Sequence, residues 1–255
     1  MSKSLPLIAV DIGNSSIKLG RFDAVSSDRF PEPDLVVSYP TLDPMLEGFL
    51  STLPSPLRWR VASVHREGER RLAEWVRTHR PQDDYHCLIY RDLPLVIDLR
   101  QPERVGLDRL AAAVAANQLR TSDRAAVVVC AGSALTVNLV SPDGAFRGGA
   151  ILPGFRMSAQ VLAQAADLLP LALLETSAEP PEALGQNTEA AIRAGLFWGA
   201  VGAVREMLAR YALLYPHPQV FITGGDLARL APLVNDEAQF VSNLVLAGIA
   251  IASRA

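Results

Sequence analysis

The sequence predicts an α/β protein made of two related domains, and three observations predict it. One device occurs twice, an apolar strand, a polar turn of small residues and a second strand: first in Ala9-Val-Asp-Ile-Gly-Asn-Ser-Ser-Ile-Lys-Leu19, then in Val129-Cys-Ala-Gly-Ser-Ala-Leu-Thr-Val-Asn-Leu139. Strand-like runs alternate with helical ones along the chain. The composition is 49% hydrophobic and only 6% aromatic, which favours helices packed on sheets. At 255 residues there is room for two ordinary domains. The expected division lies near Thr121, giving domains 1–120 and 121–255.

Taken in order, Leu7–Val10 is an apolar strand, Asp11-Ile-Gly-Asn-Ser-Ser16 a polar turn and Ile17–Phe22 the returning strand. Pro40 to Leu53 reads as a loop leading into a helix, and Trp59–Val64 as a strand. Glu67–His79 places Leu72, Trp75 and Val76 at helical spacing amid charge. His86–Leu99 reads as strand, turn and strand, with Pro94 confining part of it to an edge. Gly106-Leu-Asp-Arg109 opens the alanine-rich helix Leu110–Leu119, and Thr121–Arg124 breaks the pattern. Ala126–Val129 and Leu135–Val140 form the second hairpin around Gly132-Ser-Ala134, ending at the turn Ser141-Pro-Asp-Gly144. Gly148-Gly-Ala-Ile-Leu-Pro-Gly154 reads as a tight connection from strand to helix, and Met157–Leu169 as a helix stopped by Pro170. Glu175–Pro181 is a loop. Thr188–Leu214 is a long helical region with Gly199 and Gly202 as candidate breaks, and Gln219–Ile222 is a strand ending in Thr223-Gly-Gly225. Short helix, strand and helix complete the chain.

Charge and cysteine usage exclude several classes of function. A net charge of −3 leaves no electrostatic footprint for nucleic acid, and no Lys/Arg block suggests a membrane surface. The apolar run from Ala125 to Val140 is interrupted by Gly132, Ser133, Thr136 and Asn138, and is short for a span of roughly 20 residues. Cys87 and Cys130 show no metal-ligand spacing and are too few for a disulfide scaffold. The opening Met1-Ser-Lys-Ser-Leu-Pro6 has no signal-peptide core, so a cytoplasmic location is expected.

Asp11-Ile-Gly-Asn-Ser-Ser16 carries the most chemistry. Gly13 permits a tight turn and close approach of backbone to a ligand. The N–H groups of Asn14, Ser15 and Ser16 and the two serine hydroxyls can form a concave anion site. Asp11, at the carboxyl end of a strand, is placed to hold Mg²⁺ against phosphate. Lys18 could add charge or face solvent. An ordinary hairpin turn would use the same residues, but the second copy at Gly132, Ser133 and Ala134 weighs against that reading. Asp108 is the candidate general base, with Arg109 beside it to neutralise phosphate charge; by sequence physics alone, capping of the helix start is the stronger explanation. Thr223, Gly224 and Gly225 suit a close backbone approach to a nucleotide. Gly185-Gln-Asn-Thr188 resembles a helix start capped by Asn187 or Thr188.

Together and in this order, these segments resemble the type III pantothenate kinase family over nearly the whole chain. Asp11, Gly13, Asn14 and Ser15 match its first phosphate motif, and Gly106, Asp108 and Arg109 its Gly-x-Asp-Arg motif, preceded by Pro102 and Val105. Gly148, Gly149, Ile151, Pro153 and Gly154 match its Gly-Gly-x-Ile-x-Pro-Gly motif. Leu168-Leu-Pro170, Gly185, Asn187, Thr188, Gly195, Gly199 and Thr223-Gly-Gly225 continue the series. The resemblance implies two ribonuclease-H-like, actin-type domains with an ATP cleft between them. It implies transfer of the γ-phosphoryl group of ATP to pantothenate, the first step toward coenzyme A. Asp11 would work with Mg²⁺ and phosphate, and Asp108 would be the base. Gly106, Leu107, Arg109 and Thr188 would hold pantothenate, and Gly132-Ser-Ala134 would cradle phosphate. It also implies a homodimer and a monovalent cation, K⁺ or NH₄⁺, near the second phosphate motif.

The sequence departs from that pattern at Cys130 and Asn138, where the family carries Asp, at Ser133 for Thr, and at Leu99 for a tyrosine that contacts substrate. Thiol and amide are poor replacements for carboxylates around a hard cation. An active kinase with altered cation dependence is the favoured expectation. A catalytically impaired relative that binds pantothenate or nucleotide in a regulatory role is the alternative, and a different actin-like ATPase is the more remote one.

Overall fold

The computed structural model describes residues 5–23, 25, 29–174, 179–225 and 231–254, and the chain divides into two compact units, residues 1–119 with 243–255 and residues 120–242.

The first unit opens with β1 (Leu7–Ile12) and β2 (Ser16–Phe22), followed by β3 (Leu35–Pro40), helix α1 (Met45–Leu50), β4 (Arg58–Ser63), α2 (Arg66–His79) and β5 (Asp84–Cys87). Its sheet runs in the order β3-β2-β1-β4-β5, antiparallel from β3 to β1 and parallel from β1 to β5. This topology sets the carboxyl ends of β1, β4 and β5 side by side, the edge at which open α/β sheets bind ligands. One face buries Ile8, Val10, Ile12, Trp59 and Val61 against Leu72 and Val76 of α2. His65 caps α2, its Nδ1 accepting the N–H of Gly68 at 3.0 Å. The predicted strand–turn–strand at 86–99 is β5, a 3-10 turn at Tyr90–Asp92 and the two-residue strand β6 (Val96–Ile97). Helix α3 (Leu107–Leu119) follows, with every residue from Leu110 to Ala116 buried.

In the second unit, β7 (Ala126–Ala131), β8 (Ala134–Val140) and β9 (Ala145–Pro153) form an antiparallel meander. Helices α4 (Phe155–Ala165) and α5 (Thr188–Leu214), strand β10 (Gln219–Thr223), α6 (Ala231–Val234) and β11 (Gln239–Phe240) complete it. β10 lies parallel to β7, and the order here is β11-β10-β7-β8-β9. Val127, Val129, Val137 and Leu139 pack on Phe197, Val201 and Val204 of α5. The helix stays unbroken through Gly199 and Gly202, because two helical glycines cost only about 1 kcal/mol each against that packing. Residues 175–178 of the expected loop lie outside the described residues.

Three sequence expectations are corrected. Gly148–Pro153 is strand, not connection: Gly149 faces Asn138 across the β8–β9 ladder, and a Cβ there would lie 2.1 Å from the carbonyl oxygen of Val137, so glycine serves close strand packing. α4 starts at Phe155 and ends at Ala165, because Ala166 adopts extended backbone well before Pro170. The chain beyond residue 242 does not stay with the second unit. Helix α7 (Leu244–Ala252) packs on α3 and against β1, β4 and β2 of the first. A Cβ on Gly248 would meet the carbonyl oxygen of Ala111 at 1.8 Å, so the two helix backbones approach this closely because residue 248 is glycine.

Candidate active site

The first glycine turn is closed by backbone and braced from outside. The N–H of Gly13 donates to the carbonyl of Ser16 at 2.9 Å. The hydroxyl of Thr41 donates to the carbonyl of Gly13 at 2.8 Å, and its N–H to that of Ser15 at 3.3 Å. Asn14, Ser15 and Ser16 are exposed at the tip. Asp11 pairs with Lys18 across the β1–β2 ladder.

Asp108 sits in the first turn of α3. Its carboxylate folds back so closely over Gly106 that a Cβ there would lie 2.5 Å from Oδ1. The same carboxylate accepts the backbone N–H of Arg109 and its own, so it does serve the helix start. Burial nonetheless pushes its pKa above the ordinary value, opposed by the backbone N–H and charge of Arg109. Asp11 is perturbed further. Burial, then the negative charge of Asp108, raise its carboxyl to about 7 while Lys18 pulls it down. Residues from two distant motifs therefore share one electrostatic environment, as two carboxylates with incomplete compensation.

Val64 links the pieces. Its N–H donates to Ile12 at 2.9 Å, and its Cγ1 lies 3.4 Å from where a Cβ on Gly106 would be. A cavity of about 790 Å³ opens beside it, lined by Ser63, Val64, Tyr90, Arg104, Gly106 and Leu107.

In the second unit, three glycine segments meet. The N–H of Gly132 donates to Ala134, and that of Gly154 to Ser133, both at 3.0 Å. A Cβ on Gly154 would lie 2.3 Å from the carbonyl oxygen of Gly132. Gly224, at φ +113°, would place one 2.0 Å from that of Ala131. Thr223 pairs with Cys130, so the Thr223-Gly-Gly225 segment and the second turn share one strand end. Thr188 is exposed at the start of α5, where Asn187 is the cap, accepting the N–H of Ala190 at 2.9 Å. A cavity of about 840 Å³ there is lined by Asp167, Pro170, Thr188 and Arg193.

Sequence reasoning missed Thr41 and Val64. No local pattern marks them, because each acts through a contact made only when the sheet forms.

This architecture recurs in sugar kinases. A structure of a candidate 2-dehydro-3-deoxygalactonokinase from Sinorhizobium meliloti superposes with a TM-score of 0.56 at 17% identity, covering 97% of this chain and 98% of that one. The inorganic polyphosphate/ATP-glucomannokinase of an Arthrobacter species gives 0.50 at 16% identity, covering 97% and 98%. The fold is therefore that of the two-domain, actin-like kinases. The profile of type III pantothenate kinase matches residues 7–210. A type III pantothenate kinase of Alkalilimnicola ehrlichii is 32% identical over 97% of both chains, and one of Rhodopirellula baltica is 36% identical over 71% of this chain and 66% of its own. The chain belongs to the type III pantothenate kinase family, and it is an enzyme.

Proposed function

We propose that this chain transfers the γ-phosphoryl group of ATP to the primary hydroxyl of pantothenate, giving 4'-phosphopantothenate and ADP as the first step of coenzyme A synthesis, with Asp108 as general base. The raised pKa of Asp11, to which the charge of Asp108 contributes after burial, supports the assignment of roles. The hydroxyl oxygen bonds to the γ-phosphorus, the bond from that phosphorus to the ADP oxygen breaks, and the hydroxyl proton passes to the Asp108 carboxylate. Burial raises Asp108, which makes it a stronger base than a solvated aspartate. Arg109 stands next to it to offset charge on the phosphoryl oxygens.

The residues at Asp11 fit Mg²⁺. A buried carboxylate repelled by a second one is an oxygen donor in need of positive charge, and Mg²⁺ takes one or two carboxylates together with substrate phosphates. When bound, it would neutralise charge on the phosphates. The exposed turn at Asn14, Ser15 and Ser16, and the turn at Gly132, Ser133 and Ala134, offer N–H and hydroxyl donors to phosphate oxygens. Thr223, Gly224 and Gly225 belong to the nucleotide side of this proposal, and Gly106, Leu107, Arg109 and Thr188 to the pantothenate side. A homodimer and a cytoplasmic location are parts of it too. Met157 and Val161 on α4, and Leu168 and Leu184 beyond it, leave apolar surface exposed that a second copy could cover.

Purified protein with Mg-ATP and pantothenate should form phosphorylated product, and Asp108→Asn should remove most turnover with the fold intact. Binding of pantothenate or nucleotide with no turnover in any salt would overturn the kinase reading in favour of a regulatory relative.

A further inference from the structure

We infer that the second glycine turn of this chain works without the monovalent cation that the family resemblance implies beside it. The inference concerns that turn and assumes the kinase reading only for its activity assay. The ladders define which side chains share the sheet face at this point, since directly paired residues, and residues two apart, point the same way. Cys130 pairs with Thr136, Val128 with Asn138, and Thr223 with Cys130. The face therefore presents a thiol, two hydroxyls, an amide and a valine. It presents no carboxylate.

The geometry opposes an ion further. Asn138 is fully buried, and its Nδ2 donates to the hydroxyl of Thr136 at 3.0 Å. That bond points the positive end of the amide at an oxygen an ion would need, and Gly149 on the adjoining strand brings no side chain. A thiol suits soft metals, not an alkali cation, whose lost hydration must be replaced by several oxygens. The turn is closed by the hydrogen bonds of Gly132 and Gly154, and the Asn138–Thr136 pair lies along the strand that follows it.

The test compares the full-length enzyme in tetramethylammonium, sodium, potassium and ammonium chloride at equal ionic strength. Turnover should agree within about twofold across the four salts, and the melting curves should superimpose among the salts, compared without ADP and again with it. The double variant C130D/N138D should melt lower in tetramethylammonium and recover specifically in potassium. If that protein does not fold, Cys130→Asp alone takes its place. Tenfold activation of the wild type by potassium or ammonium, a potassium-specific rise in its melting temperature, or a folded aspartate variant indifferent to potassium would each overturn the inference. Absence of turnover in every salt would refute the kinase reading, and the melting curves would still decide the ion.

Discussion

The carboxylate of Asp108 raises the pKa of Asp11, second only to burial in doing so, although the two residues come from motifs far apart in the sequence. β1 delivers one and the start of α3 the other. Burial and this like charge both disfavour the ionised form of Asp11, and a positive charge beside it would favour that form.

That state predicts a pH dependence of stability. Asp11 moves from 3.8 to about 7, so the folded protein binds the extra proton between these values. The contribution is complete below the unfolded value and is lost as pH rises through about 7. Melting temperature without Mg²⁺ should therefore carry a downward component between pH 4 and 7. Asp11→Asn should remove it, melt higher than wild type at pH 8, and lose on the order of 10²-fold or more in turnover.

Asp108→Asn should lower turnover by about 10²- to 10⁴-fold, the usual worth of a positioned base. It also removes a negative neighbour, so the Asp11 transition should move to lower pH. A melting series from pH 4 to 8 reads the second effect independently of activity; an unmoved transition would mean that the two carboxylates are not coupled.

Away from the site, Asp83 is a heavily bonded carboxylate. It accepts from Trp59 Nε1 at 2.8 Å, Ser55 Oγ at 2.9 Å and the N–H of Leu57 at 3.1 Å, and pairs with the buried Arg80. Burial alone would raise its pKa, but the bonds from Arg80, Trp59, Ser55 and Leu57 outweigh it and hold it below 3.8. The resulting stability is present above that value and lost as pH falls through the lower folded one. Asp83→Ala should cost about 3–5 kcal/mol by stranding Arg80, measured by urea unfolding followed by circular dichroism.

Glycine-to-alanine changes should differ in sign with position. Gly248→Ala must push α7 away from the carbonyl of Ala111, and should destabilise by about 1–3 kcal/mol. Gly202→Ala in α5 meets nothing within 4 Å and should stabilise by about 0.5–1 kcal/mol. Unfolding midpoints of the two variants against wild type decide it.

How legible this was depended on the range of the interaction. The hairpin at Leu7–Phe22 and the long helix from Thr188 were readable because turn chemistry, alternation and capping act within a few residues. Gly148 and Gly149 misled for the same reason: glycine pairs signal turns locally, whereas here Gly149 lets the backbone of β8 approach. Asp108 was readable as either cap or base, and its carboxylate both serves the helix start and faces the charge of Asp11.

By itself, the order of residues determined the repeated strand–turn–strand units, the helices and the acids and glycines available for phosphate chemistry, because each is written in local propensity and spacing. Tertiary structure alone decided that α7 returns to the first unit, that Thr41 braces the Gly13 turn, that Asn138 is buried against Thr136 and that Asp11 feels Asp108. Those outcomes depend on which surfaces close over one another, and burial and charge coupling do not exist until they do.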